Sequence, residues 1–199
     1  MSTFESLGLS QSITEAVSAI GFESPTAIQE QAIPRLLSGE EDFVGLAQTG
    51  TGKTAAFGLP LLHRTDVALP FVQSLVLAPT RELCLQICRE LESFSKNQPK
   101  LKILPVYGGA DIRRQIKALE QGVQVLVATP GRLRDLMRRG KVDYTHLQQV
   151  VLDEADEMLN MGFKEEIDEI LEAVPEQRRT WLFSATMPPD VRRISQDYM

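Results

Sequence analysis

The stretch Ala47-Gln48-Thr49-Gly50-Thr51-Gly52-Lys53-Thr54 sets two glycines, a lysine and a closing hydroxyl between an apolar run, Phe43 to Leu46, and a helix-like run that begins at Lys53. Gly50 and Gly52 permit backbone turns closed to residues with a Cβ, so successive N–H groups can converge on phosphate oxygens. The following helix adds its dipole and its unpaired first-turn donors. Lys53 supplies positive charge for β- and γ-phosphates, and the Thr54 hydroxyl can take one Mg²⁺ coordination position. The ending Gly52-Lys53-Thr54 fits the phosphate-binding loop pattern, with Ala47, the next smallest residue, where that pattern has glycine.

A second chemical anchor is Val150-Val151-Leu152-Asp153-Glu154, an apolar strand ending in two carboxylates. Asp153 would hold Mg²⁺, usually through water, while Glu154 would orient and deprotonate the water that attacks a γ-phosphate. Acidic strand ends are commonplace alone. Beside a phosphate loop they gain meaning, because Mg²⁺ must bridge protein and phosphate oxygens. Lys53, Asp153 and Glu154 are thus the candidate catalytic residues, and Thr54 and Asp153 the candidate metal ligands.

These groups need a frame. From Phe43 the chain repeats a short β-branched or leucine-rich run, a polar motif, then a helix. The runs are Phe43–Leu46, Ser74–Ala78, Lys102–Val106, Val123–Ala128, Gln149–Leu152 and Thr180–Phe183. Each reads as a buried strand, and the helical crossovers imply an α/β fold with a mostly parallel central sheet and helices on both faces. Pro79-Thr80-Arg81, Gly108-Gly109, Thr129-Pro130-Gly131-Arg132 and Ser184-Ala185-Thr186 also follow strands, on the carboxyl edge where such sheets bind ligands. Upstream, Ser12-Ile13-Thr14-Glu15 has capping-box form for a first helix ending near Gly21, and Pro25 is placed to open a second, with Pro34 awkwardly late in it.

At 199 residues the chain suits one domain, and 43% hydrophobic with 24% charged residues is ordinary globular usage. The net charge of −6 excludes a globally basic nucleic-acid binder but not a local basic surface. Cys84 and Cys88 read as buried reduced thiols, since two ligands do not make a zinc site. No apolar run reaches membrane-spanning length and the start is not a signal peptide, so the expected compartment is the cytoplasm.

In order and joint presence these stretches resemble the DEAD-box family of ATP-dependent RNA helicases, from Phe4 to Thr186. Gly21-Phe22-x-x-Pro25-Thr26-x-Ile28-Gln29 is similar to the family's Q motif, with Phe4 seventeen residues before Gly21 where the family has an isolated aromatic. Residues 47–54 resemble motif I, Pro79 to Leu83 motif Ia, Gly108-Gly109 the glycine doublet, Thr129 to Arg132 motif Ib, Asp153-Glu154-Ala155-Asp156 the DEAD element and 184–186 motif III.

The resemblance implies a three-layer RecA-like fold and a single amino-terminal ATP-binding domain over 1–199 that binds ATP or ADP with Mg²⁺. Phe4, Phe22, Thr26, Gln29 and Ala47 to Thr54 would form the nucleotide site. Gln29 could pair with the N6/N7 edge of adenine, and Phe4 could stack on its face. Pro79, Thr80, Arg81, Gly108, Gly109, Thr129, Pro130, Gly131 and Arg132 would hold the RNA backbone without reading sequence. Asp156, Ser184 and Thr186 would couple nucleotide state to RNA. The further basic run Arg134, Arg138, Arg139 and Lys141 reads more simply as a solvated face. The family's second helicase domain, with its arginine finger worth about 10³–10⁵ in rate, has no counterpart here, so the lone domain is expected to be nearly inactive. A small-molecule P-loop kinase and a non-catalytic nucleotide module are the rival readings.

Overall fold

The computed structural model describes residues 3–39 and 41–199. Four-residue runs of branched apolar side chains can be buried on both faces only inside a covered sheet. Here β1 (Phe43–Leu46), β2 (Ser74–Leu77), β3 (Ile103–Val106), β4 (Val125–Ala128), β5 (Gln149–Leu152) and β6 (Arg179–Ser184) pair in the order β1-β6-β5-β2-β4-β3. Every pairing is parallel, so the expected mostly parallel sheet is wholly so.

Period-two alternation sends neighbouring strand residues to opposite cores. Val76, Val127, Val151, Trp181 and Phe183 pack beneath α1 (Gln11–Ala19), α2 (Ala27–Ser38), α3 (Lys53–Arg64) and α4 (Arg81–Phe94). Leu75, Leu77, Leu126, Leu152 and Leu182 pack beneath α5 (Ile112–Glu120), α6 (Pro130–Arg138), α7 (Ala155–Asn160), α8 (Lys164–Ala173) and α9 (Pro189–Asp197). Each such fully buried side chain contributes about 1.5–3 kcal/mol. Cys84 and Cys88 are free thiols on the buried side of α4, with Cys84 Sγ donating to the Val127 carbonyl at 3.1 Å.

Two helix starts differ from the sequence reading. The first helix is capped at Ser10, leaving Ser12 inside it, because Ser10 takes the extended backbone that a cap requires. The second is capped by Thr26, so Pro25 lies outside it, and that helix runs on through Pro34 to Ser38.

Gly45 shows how tightly the first strand is seated. A Cβ there would lie 2.8 Å from Phe183 Cε1 and 3.0 Å from Phe43 Cε1, so the two rings close over the glycine. Gly45→Val is expected to cost about 1–3 kcal/mol in urea unfolding, since the rings must move to admit the side chain. An unchanged midpoint would show that the strand can shift outward.

Candidate functional site

Six parallel strands send all their carboxyl-end loops to one edge. The strand order then sorts those loops into two groups. The neighbours β1, β6 and β5 carry Ala47 to Thr54, Ser184 to Thr186 and Asp153 to Asp156; the neighbours β2, β4 and β3 carry Pro79 to Arg81, Thr129 to Arg132 and Gly108-Gly109.

In the first group, Ala47 N–H continues the ladder to the Ser184 carbonyl at 3.0 Å, and the chain then turns through Gly50 (φ 79°) and Gly52 (φ 89°) into α3. The loop borders a cavity of about 840 Å³ shared with Phe22, Thr26, Gln29 and their neighbours. A Cβ at Gly50 would meet nothing within 4 Å, whereas one at Gly52 would lie 2.4 Å from Gln29 Nε2. Gln29 is almost wholly buried. Its Oε1 accepts from Thr26 N–H at 2.9 Å and its Nε2 donates to the Gly52 carbonyl at 3.1 Å, while Thr26 Oγ1 donates to the Thr51 carbonyl at 2.9 Å. Thr26 and Gln29 therefore brace the phosphate loop in this structure.

Phe4 is not brought to the cavity. It is 3% exposed, with its ring centroid 6.0 Å from that of Phe22, which in turn meets Phe94 at 5.8 Å. The expected open face for stacking on a base is instead used in the core, because a phenyl ring gains more from full burial than from a solvated surface.

Lys53 and Asp153 meet beneath the loop. Both are buried, and Lys53 Nζ lies 4.0 Å from Asp153 Oδ1 without a hydrogen-bond partner. Charge attraction at that distance leaves the ammonium donors unsatisfied, a costly state for a buried cation. Burial pushes the Asp153 carboxyl up to about 7, opposed by Lys53 and aided by the Glu154 charge. Glu154 is the sole non-glycine residue with positive φ among the described residues, at 52°, and caps α7. That left-handed turn costs about 1 kcal/mol and swings the side chain off the strand line. An orphaned ammonium, a reluctant carboxylate and an open glycine cradle fit an anionic phosphate with a divalent ion. No cluster of three metal-binding side chains occurs among the described residues, so such an ion would need phosphate oxygens and water besides Thr54 and Asp153.

Asp156 turns to motif III rather than to the metal side. Its Oδ2 accepts from Thr186 N–H at 3.0 Å and from Thr186 Oγ1 at 2.7 Å, and its own N–H donates to Ser184 Oγ at 3.3 Å. Burial pushes its carboxyl upward, but the hydrogen bonds from Thr186 and Ser184 outweigh this and hold it below the usual range.

In the second group, Thr80 Oγ1 accepts from Leu83 N–H at 3.2 Å and caps α4, which places Pro79 before the cap rather than at the first helical position. Pro130 does open α6, after Thr129. Exposed Arg81 holds its guanidinium 4.9 Å above the Tyr107 ring. Arg132 Nη1 donates to the Ala110 carbonyl at 3.1 Å and to Gln115 Oε1 at 3.0 Å. The sequence reading missed Tyr107 and Gln115. The one available signal was a polar residue, Gln115, on the apolar stripe of Ile112, Ile116 and Leu119.

The basic run beyond Arg132 is neutralised: Arg134 pairs with Glu166, Arg138 with Glu169, Arg139 with Asp135 and Lys141 with Glu120. The acidic helix α8 is thereby an ion-pairing partner of α6, and its Asp168 also binds Arg193.

The Asp153 shift has a measurable sign. A folded-state value raised from 3.8 to about 7 means that Asp153 favours folding least once it is ionised, so this contribution is lost as pH rises between those values. Asp153→Asn is expected to be more stable than the parent chain by about 1–4 kcal/mol at pH 8 in chelator, and nearly equal to it at pH 4. Urea midpoints at the two pH values check this; an equal gap at both would remove the burial explanation.

A family model described as DEAD/DEAH box helicase matches residues 26–194. The chain is 53% identical over 196 residues to the ATP-dependent RNA helicase CshA of Limosilactobacillus reuteri, covering 98% of this chain and 39% of that protein. It is 51% identical over 199 residues to the DEAD-box ATP-dependent RNA helicase CshA of Geobacillus kaustophilus, covering all of this chain and 42% of the relative. The chain thus spans about two fifths of the length of these curated relatives. The crystal structure of a DEAD box protein from the hyperthermophile Methanococcus jannaschii superposes with a TM-score of 0.95 at 42% identity, over 99% of this chain and 53% of the other. With its all-parallel sheet and its two groups of loops, the chain belongs to the DEAD/DEAH box helicase family.

Proposed function

We propose that this chain is the amino-terminal, RecA-like half of a cytoplasmic ATP-dependent RNA helicase, binding adenine nucleotide on one half of its sheet edge and RNA backbone on the other. The observation that carries the reading is Lys53, a buried ammonium without a hydrogen-bond acceptor, beneath a glycine cradle open to the cavity. Phosphate oxygens at the loop amides would satisfy it. Thr54 and Asp153 would hold Mg²⁺, which when bound neutralises phosphate charge. Glu154, turned out by its left-handed backbone, would orient the attacking water and take its proton. Gln29 and Thr26 would trade part of their bracing of the loop for the adenine edge. This gives one mechanism for sensing both base and loop conformation.

Asp156 lies where β5 ends, beside β2 where the proposed RNA half begins, and the 184–186 loop lies where β6 ends, one strand further away. Movement of Asp153 and Glu154 around phosphate would pass through Asp156 to Thr186, and from there to the surface facing a second helicase domain. In the whole enzyme, closure of the two domains on ATP would bend the bound RNA strand and separate a duplex.

Calorimetric titration of ADP and GDP with Mg²⁺ tests the nucleotide half. ADP is expected to bind about tenfold more tightly than GDP, and Gln29→Ala to weaken ADP and abolish the preference. Equal binding of the two nucleotides by the parent chain would overturn the adenine assignment.

A further inference from the structure

Gln115 is 6% exposed, set among the apolar residues of α5. A buried amide is costly unless both its ends are paired. Here Nε2 donates to the Tyr107 carbonyl at 3.2 Å and Oε1 accepts from Arg132 Nη1 at 3.0 Å. A carbonyl accepts only and a guanidinium donates only, so the amide has one possible orientation, and no other side chain of that size supplies both ends. The Tyr107 that Gln115 holds by its backbone carries Arg81 on its ring, and the Arg132 that it holds also grips Ala110. One side chain thus ties together the loops that leave β2, β3 and β4.

The geometry also says which edge of Arg132 is spent. Nη1 is occupied by Ala110 and Gln115, while Nε and Nη2 have no partner among the described residues. Those two nitrogens form the edge of the fork that grips a phosphate bidentately. Neither Arg81 nor Arg132 is drawn into an ion pair among the described residues that would compete with such a ligand.

We propose that Gln115 is a positioning residue for RNA-backbone binding: it fixes the free edge of Arg132 and, through Tyr107, the guanidinium of Arg81. The inference rests on the RNA half of the function proposed above. Gln115 touches no nucleic acid itself; it removes the rotational freedom that two long cationic side chains would otherwise lose on binding.

The test uses this chain and a fluorescently labelled single-stranded RNA, read by anisotropy at several salt concentrations, with ADP affinity and the urea midpoint measured on each variant. Gln115→Met is expected to weaken RNA binding roughly tenfold while leaving ADP affinity unchanged. The slope of log affinity against log salt should fall by about 0.7, the signature of one lost phosphate contact on a single strand. In an Arg132→Ala background the same change should add only part of that loss, because the route through Tyr107 to Arg81 is all that remains. Gln115→Glu keeps the shape and the acceptor for Arg132 but loses the bond to Tyr107, so it should fall between and guards against a folding defect in the methionine variant. Unaltered RNA binding in both Gln115 variants, or a full additional loss without Arg132, would overturn the proposal. A parent chain that binds ADP but no RNA would overturn the RNA reading itself.

Discussion

Parallel pairing is the constraint from which the rest of this molecule follows. A strand that must return to run alongside its predecessor needs a crossover, and here each crossover is a helix laid across one face of the sheet. The helices cover both faces, so the inner strands β2, β4 and β5 are buried along their whole length, while β1 at the edge keeps Val44 and Leu46 exposed. The loops that bear the motif residues gather at the carboxyl ends. The strand order divides that edge in two, with β5 and β2 as the border.

The two halves differ in how their polar groups are satisfied. On the phosphate side the local state is strained: Lys53 has no acceptor, Asp153 is driven toward its neutral form by burial, and Glu154 occupies a left-handed turn. Such groups gain most when an anion and a cation arrive together, since binding relieves costs already carried in the fold. On the other side Arg132, Gln115, Tyr107 and Arg81 are already engaged with one another. That surface is held by its own hydrogen bonds and leaves Arg132 Nε and Nη2 without a partner among the described residues. Unsatisfied groups on one half of the edge thus stand beside groups that satisfy one another on the other half.

Between them the Asp156 carboxylate is held by Thr186, next to the Asp153–Glu154 pair on the same strand end. Hydrogen bonds therefore tie the helix start after β5 to the loop that leaves β6. The ion pairs of α6 with α8 lie away from this edge and tie the helices of one face together. They explain why a visibly basic helix adds no basic surface.

Much of this was legible in the sequence because it rests on local rules. Period and residue type announced six strands, though β1 is partly exposed where burial was expected, and the spacing of Gly50, Gly52, Lys53 and Thr54 announced a glycine turn into a helix, since backbone freedom is a property of the stretch itself. Tertiary structure decided what depends on residues distant along the chain. Phe4 became core because Phe22 folds against it, and Gln29 braced Gly52 across a gap that no spacing rule spans. Ser12 lost its cap to Ser10 because backbone conformation, not motif form, selects the cap. The division of the edge into two halves and the placing of Gln115 beneath Arg132 follow from strand order. That order is fixed by how two hydrophobic cores pack together, which no single segment of the chain encodes.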